Sequence, residues 1–427
     1  MNFLIVGSGP AGIFAAETIR ERDQERPITL VSQDTALACS PVMLTYWIAG
    51  ERPHERLFFR GSSWAERNMI DVKLDCRAVG LDTGSRKLIL ANGQRVPYHR
   101  MLIATGSSPI SLPIPGVGAK GVGSLRSIRD SETIIGAGPR LREAVIIGGG
   151  FIGLKVACHL RVRGVGVTVL EKEPKLALRM LDRRASHVIA NELRKQGIRV
   201  ETDVEVAEIL TEREWASGVR MKDGRFFSAQ SIIQAVGVRP NAEFLADSGI
   251  DLHAGVLVNE RMETNVSGVY AAGDVAMTID SITSERLNNA TWPAAARQGA
   301  VAGWNMTGGD RTYIHNLPLN AIAFFGLRVM AAGHPNHEGG AGVDVFTKER
   351  AISYRKIVVR TGRVIGFILI GDVSGAGFLL NLMKRKAEIA HDPLDLLNSR
   401  ISPQDYVLPH LGYRHGHMFD VPRGAFR

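Results

Sequence analysis

Short apolar runs rich in β-branched residues alternate along this chain with stretches of helical periodicity. Ala144–Ile147 predicts a buried strand, Leu154–Arg163 predicts a helix, and Val165–Leu170 predicts a second strand. Glycines separate the first strand from the helix, as expected where a strand turns tightly into a helix. This order predicts a β-α-β unit with two parallel strands.

A second unit of the same kind opens the chain. Met1–Val6 predicts a strand, Ile13–Arg20 predicts a helix, and Ile28–Val31 predicts the next strand. Strands alternating with helices are typical of α/β folds, in which helices cover a mostly parallel sheet. Further short strands are predicted over residues 72–74, Lys87–Leu90 and Arg100–Ala104.

The middle of the chain continues this alternation after a break. Residues 111–123 are rich in Pro and Gly and are typical of a linker. Helices are predicted over Ile128–Ile135 and Arg183–Gln196, and Thr264–Val275 predicts a strand that ends in Gly-Asp. Another helix is predicted to start at Thr291.

The pattern changes near Pro318, where strand-like runs follow one another without intervening helices. Such an order is typical of an α+β unit separate from the rest. The predicted elements are the strands Val343–Phe346, Ala351–Val359 and Val364–Ile370 and the helix Gly377–Lys386.

Composition narrows the class of protein. The 427 residues are 45% hydrophobic and 22% charged, which is ordinary for a globular protein. No apolar run reaches the roughly 18 residues that a membrane span needs, and the N-terminus lacks the layout of a signal peptide. We therefore expect a cytoplasmic protein without a membrane anchor.

The net charge is +9, from 52 basic and 43 acidic side chains. The basic residues are scattered, so no nucleic-acid-binding stripe is predicted, and the charge serves either to steer an acidic partner or to keep the chain soluble. No metal site is expected, since the cysteines are widely spaced and the C-terminal histidines lack ligand spacing. These residues are Cys39, Cys76, Cys158, His410, His415 and His417.

The glycines of the unit at 144–171 have distinct expected roles. Gly148 allows the turn, Gly150 lets backbone approach a pyrophosphate, and Gly153 lets helix and strand pack closely. The pyrophosphate would lie at the helix N-terminus, where free N–H groups and the helix dipole favour anions. Glu171 ends the second strand and is the expected acceptor for a ribose 2′-hydroxyl.

The N-terminal unit has the same spacing, with Gly7, Gly9 and Gly12. It departs from the pattern at the end of its second strand, where the ribose-binding acid is replaced by Ser32. Asp34 lies two residues further on and is the candidate substitute.

Several motifs occur in a recognisable order. Their order resembles that of the FAD-dependent pyridine nucleotide–disulfide oxidoreductase superfamily, which are flavoproteins with two dinucleotide-binding domains. The motifs that carry this resemblance are the two glycine units, the strand end Ala104–Gly106 and the segment Tyr270–Asp274. Within this superfamily, the chain resembles the branch of NADH oxidases, rubredoxin reductases and assimilatory nitrite reductase flavoproteins. The segments that carry this resemblance are Ser40–Pro41, Tyr46–Glu51 and Arg355–Asp372.

This resemblance implies a domain organisation. An FAD-binding domain would comprise residues 1–112 and 242–315, and an NAD(H)-binding domain inserted into it would comprise residues 113–241. A C-terminal α+β domain with a tail, residues 316–427, would serve as an interface, most simply in a homodimer or as part of a redox complex.

The resemblance also implies two sets of binding residues. The set implied for FAD is Gly7, Gly9, Pro10, Ala11, Gly12, Asp34, Ser40, Pro41, Ala104, Thr105, Gly106, Gly273, Asp274, Thr291, Trp292 and Pro293. The set implied for the nicotinamide nucleotide is Gly148, Gly150, Phe151, Ile152, Gly153, Glu171 and Gly237.

Cofactor preference follows from Glu171. A carboxylate there repels a 2′-phosphate and accepts from a free 2′-hydroxyl, so NADH is favoured over NADPH. The neighbouring Lys172 would partly offset this effect.

Two departures from the disulfide-reducing relatives bear on function. Aligned on Tyr46, the redox-cysteine position falls at Val42, and Cys39 lies three residues too early to touch the flavin. Lys155 replaces a glutamate that many relatives carry near the nicotinamide and flavin. It either acts there, as a tentative catalytic residue, or is ordinary helix surface.

Three hypotheses follow. The leading one is an FAD-dependent NADH oxidoreductase that passes electrons to a separate acceptor, such as a rubredoxin, a ferredoxin or a partner oxygenase or reductase component. The basic net charge suggests that this carrier is small and acidic. The second is a self-contained NADH oxidase or disulfide or peroxide reductase that uses Cys39. The third is a flavin-binding assembly or sensor subunit without turnover.

Overall fold

The N-terminal strand lies in the middle of a parallel sheet that we call the first unit. The computed structural model describes residues 2–136, 141–314, 316–350, 352–389 and 392–398. In spatial order the strands of this sheet are β19 (Val269–Ala271), β7 (Arg100–Ile103), β1 (Phe3–Val6), β2 (Ile28–Val31) and β3 (Ile70–Lys73).

Two helices pack tightly against each other on this sheet. Helix α1 (Pro10–Arg22) and helix α7 (Trp292–Met306) each carry a proline in the first turn, where its missing N–H costs no hydrogen bond. A Cβ at Gly299 would lie 2.1 Å from the backbone oxygen of Ala11, so glycine is required for this close approach. The packing holds the start of both helices at one end of the sheet.

The rest of the first unit consists of short elements. These are α2 (Pro41–Ile48), α3 (Trp64–Arg67), 3-10 turns at His54–Leu57 and Glu243–Leu245, the antiparallel strands β4 (Ala78–Asp82), β5 (Lys87–Leu90) and β6 (Arg95–Pro97), and the strands β18 (Val256–Leu257), β20 (Ala276–Ile279) and β21 (Arg286–Leu287).

A second parallel sheet forms what we call the second unit. Its strands in spatial order are β12 (Ile198–Glu201), β11 (Gly166–Leu170), β10 (Glu143–Ile147), β16 (Ser231–Gln234) and β9 (Val122–Gly123). Its helices are α4 (Ile128–Gly136), α5 (Phe151–Val162) and α6 (Arg183–Lys195), and its antiparallel strands are β13 (Val206–Glu212), β14 (Trp215–Met221) and β15 (Phe226–Ser228).

The two units are joined by a short antiparallel ribbon. It pairs β8 (Ser107–Pro109) with β17 (Val238–Pro240), so the chain enters and leaves the second unit side by side. The first sheet includes strands from before and after this insertion, because β19 pairs with β7. The glycine turns of both units therefore lie within one connected body.

An antiparallel sheet forms the C-terminal unit. Its strands in spatial order are β22 (Leu319–Phe324), β23 (Leu327–Gly333), β26 (Arg363–Ile370), β25 (Ser353–Arg360) and β24 (Val343–Arg350). Helix α8 (Ala376–Arg385) packs on β26, and a 3-10 turn at Pro393–Leu397 follows.

The C-terminal sheet shares a hydrophobic core with the second unit. Phe324 and Ile368 of this sheet are fully buried in one cluster with Leu154 of α5 and Ile189 of α6. Burying such side chains stabilises the contact by about 1.5–3 kcal/mol each, so the two units are firmly attached. The rings of Phe151 and Phe324 lie 6.4 Å apart at the edge of this contact.

The fold class predicted from the sequence is confirmed: two Rossmann-like units, one inserted in the other, and a C-terminal α+β unit. The exact limits of the three domains stay a prediction. None of the helices in the described ranges combines the length and apolar character that crossing a bilayer requires. The histidines predicted to lie in a tail, from His410 onward, fall outside the described residues.

Several predicted elements have other bounds in the structure. Helix α1 begins at Pro10 rather than Ile13. Helix α5 begins at Phe151 rather than Leu154, because Gly150 ends the turn and caps the helix. Thr264–Val275 is not one strand: only Val269–Ala271 is paired, and its chain turns at Gly273. The strand predicted over Ala351–Val359 is Ser353–Arg360 in the structure.

Candidate functional site

The first glycine turn joins β1 to α1 and is held by close backbone contacts. Gly7 has φ +122°, and a Cβ there would lie 2.1 Å from the backbone oxygen of Ala104. A Cβ on Gly12 would lie 2.0 Å from the backbone oxygen of Gly7. A Cβ on Gly9, by contrast, would meet no described atom within 4 Å. The first and third glycines are therefore needed for packing, and the second faces open space.

The second glycine turn, between β10 and α5, repeats this arrangement. Gly148 has φ +111° and lies against Ala235, while a Cβ on Gly153 would lie 2.2 Å from the backbone oxygen of Gly148. Gly150 faces open space, as Gly9 does. Each turn thus presents the free N–H groups of a helix N-terminus where nothing blocks an anion, and this geometry fits a dinucleotide pyrophosphate.

The acids at the strand ends differ between the two units. The carboxylate of Glu171 accepts hydrogen bonds from the N–H groups of Gly149 at 2.5 Å and Glu173 at 2.9 Å. Asp34 instead accepts from the hydroxyls of Ser32 at 3.3 Å and Ser8 at 3.5 Å. The first unit therefore uses a serine pair and an aspartate where the second uses one glutamate.

Side chains from two other segments of the chain contact the Asp274 carboxylate. Its carboxylate accepts a hydrogen bond from the Ser107 hydroxyl at 2.9 Å and lies 3.4 Å from an Arg126 guanidinium nitrogen. Gly273, just before it, has φ +84° and lies against Ala11 of α1. The structure thus brings Asp274 and Gly273 to the first glycine turn, where the sequence predicts them to bind.

The strand end after β7 is tied to the ribbon between the units. The Thr105 hydroxyl donates to the backbone oxygen of Asn241 at 2.7 Å, and the Asn241 amide donates back to the Thr105 oxygen at 2.9 Å. Gly106 has φ +67°. Gly237, with φ +128°, accepts from the backbone N–H of Ile110. Ala104–Gly106 and Gly237 therefore meet at the junction of the two units.

Helix α7 brings an aromatic group to the same end of the first unit. Thr291 is its N-cap, followed by Trp292 and Pro293. The Trp292 ring packs edge-on against Phe14 at 5.7 Å and Phe59 at 5.4 Å. Its buried indole N–H has no hydrogen-bond partner among the described residues, which fits a site completed by a polar ligand.

Helix α2 begins at the edge of the site with Ser40 as N-cap and Pro41 in its first turn. Val42, which occupies the expected redox-cysteine position, is 57% exposed. Burial raises the pKa of the Cys39 thiol to about 11, with Asp34 adding to the shift and Arg126 opposing it. Because the thiolate is the reactive form, this shift disfavours a reactive Cys39 at neutral pH.

Lys155 is half-buried in the second turn of α5. Its ammonium group donates to the backbone oxygen of Ala323 at 3.2 Å and lies 4.8 Å from the ring centroid of Tyr46. It is therefore not an ordinary solvated surface lysine. Phe151 and Ile152 lie at the start of the same helix, and Ile152 is 57% exposed.

Sequence reasoning missed two residues of this site. Arg126 comes from the loop before α4 and reaches Asp274, which is 148 positions away in the sequence. Asn241 bonds to Thr105 and also accepts from the Ser108 hydroxyl. No local motif marks either residue, because each acts across the junction between the units.

Two family models match the chain. The model described as pyridine nucleotide-disulphide oxidoreductase matches residues 1–299. The model described as rubredoxin NAD+ reductase C-terminal domain matches residues 318–387. Together they cover the two glycine units and the C-terminal sheet.

Similar proteins span most of the chain. The NADH-dependent phenylglyoxylate dehydrogenase subunit epsilon of Aromatoleum evansii is 31% identical over 91% of this chain and 92% of its own length. The NAD(P)H nitrite reductase of Bacillus subtilis is also 31% identical over 91% of this chain, which spans only 48% of that protein.

A solved structure shows the same architecture. The ferredoxin reductase for the CYP199A2 system from Rhodopseudomonas palustris is 25% identical, with a TM-score of 0.84 over 92% of this chain and 98% of that chain. The chain belongs to the pyridine nucleotide–disulphide oxidoreductase family and is an FAD-dependent NAD(P)H oxidoreductase.

Proposed function

We propose that the chain takes a hydride from NADH onto FAD and passes the electrons to a separate protein acceptor. That acceptor is a small iron–sulfur carrier, such as a rubredoxin or ferredoxin, or a partner oxygenase or reductase component. The observation that carries this proposal is the pair of open glycine turns in one body, next to a cysteine whose thiol stays protonated.

Each glycine turn would bind one of the two nucleotides. FAD would lie on the first unit, with its pyrophosphate at Gly9 and Asp274 beside it, and the remaining predicted set around it. NADH would lie on the second unit, with its pyrophosphate at Gly150. FAD, when bound, supplies the ability to accept two electrons together and release them singly. The chain positions both nucleotides and excludes water.

NADH rather than NADPH is the proposed donor. The Glu171 carboxylate ends β11 beside the open turn, where it accepts from a free ribose hydroxyl and repels a phosphate. Lys172, the candidate for offsetting this charge, lies 3.4 Å from Glu205 instead. Its charge is thus already partly matched, which supports a preference for NADH.

A separate acceptor is favoured because burial disfavours the thiolate form of both Cys39 and Cys158. The Cys39 thiol is protonated at neutral pH. Burial raises the pKa of the Cys158 thiol to about 12, although Lys155 opposes the shift. The self-contained oxidase or disulfide reductase therefore lacks an activated thiol. The names of the relatives, a dehydrogenase subunit and a ferredoxin reductase, support transfer to another protein.

A cationic face near the start of α7 is the proposed docking surface for this carrier. We define it by Arg297, Lys384, Arg385 and Lys386. The Arg297 side chain folds back to the Pro293 backbone oxygen at 3.2 Å. Burial, and next the charge of Arg297, lower the pKa of Lys384. Two like charges held this close favour an acidic partner, which would relieve their repulsion.

The test uses the FAD-loaded full chain, NADH and a panel of separate carriers, including a rubredoxin and a [2Fe–2S] ferredoxin. We expect NADH to reduce the flavin rapidly and at least one carrier to be reduced in turn. Rapid flavin reduction with no carrier reduced would contradict the proposal. Stoichiometric flavin with no turnover on any acceptor would instead support a sensor or assembly subunit.

A further inference from the structure

Lys155 lies where the three units meet. It projects from α5 of the second unit, its ammonium lies over the Tyr46 ring of α2 at 4.8 Å, and it donates to Ala323 of the C-terminal sheet at 3.2 Å. Both partners are uncharged. The contacts therefore fix the position of the ammonium group without cancelling its charge.

The described part of the chain supplies no ion-pairing carboxylate for this charge. Among the described residues, no Asp or Glu oxygen lies within 4 Å of the Lys155 ammonium, whereas the buried Lys356 lies 3.0 Å from Asp182. The nearby Glu51 lies 3.8 Å from His159 and is 43% exposed. A half-buried cation without an anion is costly, so an anionic ligand at this position would be favoured.

The surrounding groups respond to this charge. Burial and then Lys155 lower the pKa of His159 to about 4, so this buried imidazole is neutral at neutral pH. Its Nδ1 has no hydrogen-bond partner among the described residues. The charge of Lys155 therefore acts inside the α2–α5 contact, where Glu51 lies beside His159 and not within ion-pair distance of Lys155 among the described pairs.

The helices that hold Lys155 begin at the two binding sites. Helix α5 starts at the open Gly150 turn, and α2 starts at Ser40 with the exposed Val42 in its first turn. Hydride transfer from NADH leaves NAD⁺ and brings two electrons and one proton to the flavin, which thereby gains one negative charge. A fixed cation beside this path favours the product over the reactant.

We propose that Lys155 is a positioning residue that raises the reduction potential of the bound FAD by holding an uncompensated positive charge beside it, with Tyr46 and Ala323 as its supports. This inference rests on the proposed function, because it assumes that FAD lies on the first unit. It assigns a use to the position where many relatives carry a glutamate of opposite sign.

The test is the midpoint potential of the FAD in the full-length holoprotein, titrated at equilibrium without NADH or carrier. Lys155→Met keeps the apolar stem and removes the charge, and Lys155→Arg keeps the charge. Lys195→Met is the matched control, since it removes one exposed cation from the same unit, next to Glu192. FAD stoichiometry and circular dichroism check folding, and Lys155→Gln replaces the methionine variant if that one does not fold.

We expect Lys155→Met to lower the equilibrium constant for flavin reduction by at least about tenfold, which is about 30 mV for a two-electron couple. Lys155→Arg and Lys195→Met should stay near the wild-type value. An unchanged potential in Lys155→Met, or an equal shift in Lys195→Met, would overturn the inference. Because no carrier is present, the potential can be interpreted even if the chain reduces no carrier. Carrier reduction can likewise be measured even if the Lys155 variants leave the potential unchanged.

Discussion

The glycines of the two turns fall into two groups, those that the backbone packing requires and those that face open space. A Cβ added at Gly7 or Gly12 would lie 2.1 or 2.0 Å from a backbone oxygen, whereas a Cβ at Gly9 or Gly150 would meet no described atom within 4 Å. A substitution at an open glycine therefore spares the fold and obstructs only the ligand. This separation lets the two binding sites be tested one at a time.

Gly9→Val is expected to abolish or strongly reduce FAD binding, while the apoprotein still folds. Gly150→Val is expected to retain FAD but raise the KM for NADH by at least about tenfold, because the side chain keeps the pyrophosphate from the N–H groups. Flavin absorbance per chain and steady-state kinetics measure the two effects. The assignment of the sites is wrong if Gly150→Val loses FAD and Gly9→Val keeps it.

His159 makes stability depend on pH. Its pKa is lowered from 6.5 to about 4, mainly by burial, so below pH 6.5 the unfolded chain takes up a proton that the folded chain does not. The stability it contributes is present above pH 6.5 and is lost as the pH falls toward 4. We expect the wild type to lose about 3 kcal/mol over this window through His159.

Urea titrations at several pH values check this expectation. His159→Leu should lose less stability between pH 6.5 and 4 than the wild type, and the exposed His187→Leu should behave as the wild type. Parallel pH profiles for all three proteins would show that His159 is not the responsible group.

At the scale of elements, a buried ionic group fastens the C-terminal sheet to α6. Asp182 caps α6 by accepting from the Ala185 N–H, and it also accepts from the Tyr354 hydroxyl at 2.6 Å and the Lys356 ammonium at 3.0 Å. Its pKa is lowered even though burial alone would raise it, because these donors outweigh desolvation. One carboxylate therefore both caps α6 and joins β25 of the C-terminal sheet to the second unit.

Asp182→Asn keeps the helix cap but leaves the buried Lys356 without its counter-ion. We expect this variant to lose about 3–5 kcal/mol of unfolding free energy. Arg184→Ala, which breaks the exposed pair of Arg184 with Glu349, should cost less than about 1 kcal/mol. Urea midpoints measure both, and similar losses in the two variants would contradict the assigned role of Asp182.

The sequence predicted strongly apolar strands in both the parallel and the antiparallel sheets, and it missed strands with a weaker pattern. The parallel strand Ile28–Val31 and the antiparallel strand Lys87–Leu90 were placed to the residue, since apolar runs mark a strand clearly. Leu319–Phe324 was missed, because its polar and small residues alternate weakly. The contact of Arg126 with Asp274 and the surroundings of Lys155 could not be predicted from the sequence, because they depend on contacts between units.

At the scale of the whole molecule, we expect the net charge of +9 to affect carrier binding mainly at the cationic face defined above. Arg297→Glu should lower kcat/KM for an acidic carrier about tenfold at low salt while leaving flavin reduction by NADH unchanged, because only steering and docking are affected. Arg95→Glu, an exposed arginine on β6, is the matched control. The docking face is misplaced if both variants lose carrier reduction equally, or if added salt does not narrow the difference between Arg297→Glu and wild type.

The most direct test of a separate acceptor is the anaerobic rate at which NADH reduces an iron–sulfur carrier through wild-type protein and through Cys39→Ser. Because the Cys39 thiol is protonated at neutral pH, we predict that the two rates agree within about twofold. Loss of turnover in Cys39→Ser, with FAD still bound, would contradict electron transfer without a cysteine. It would make the chain a thiol-dependent reductase instead.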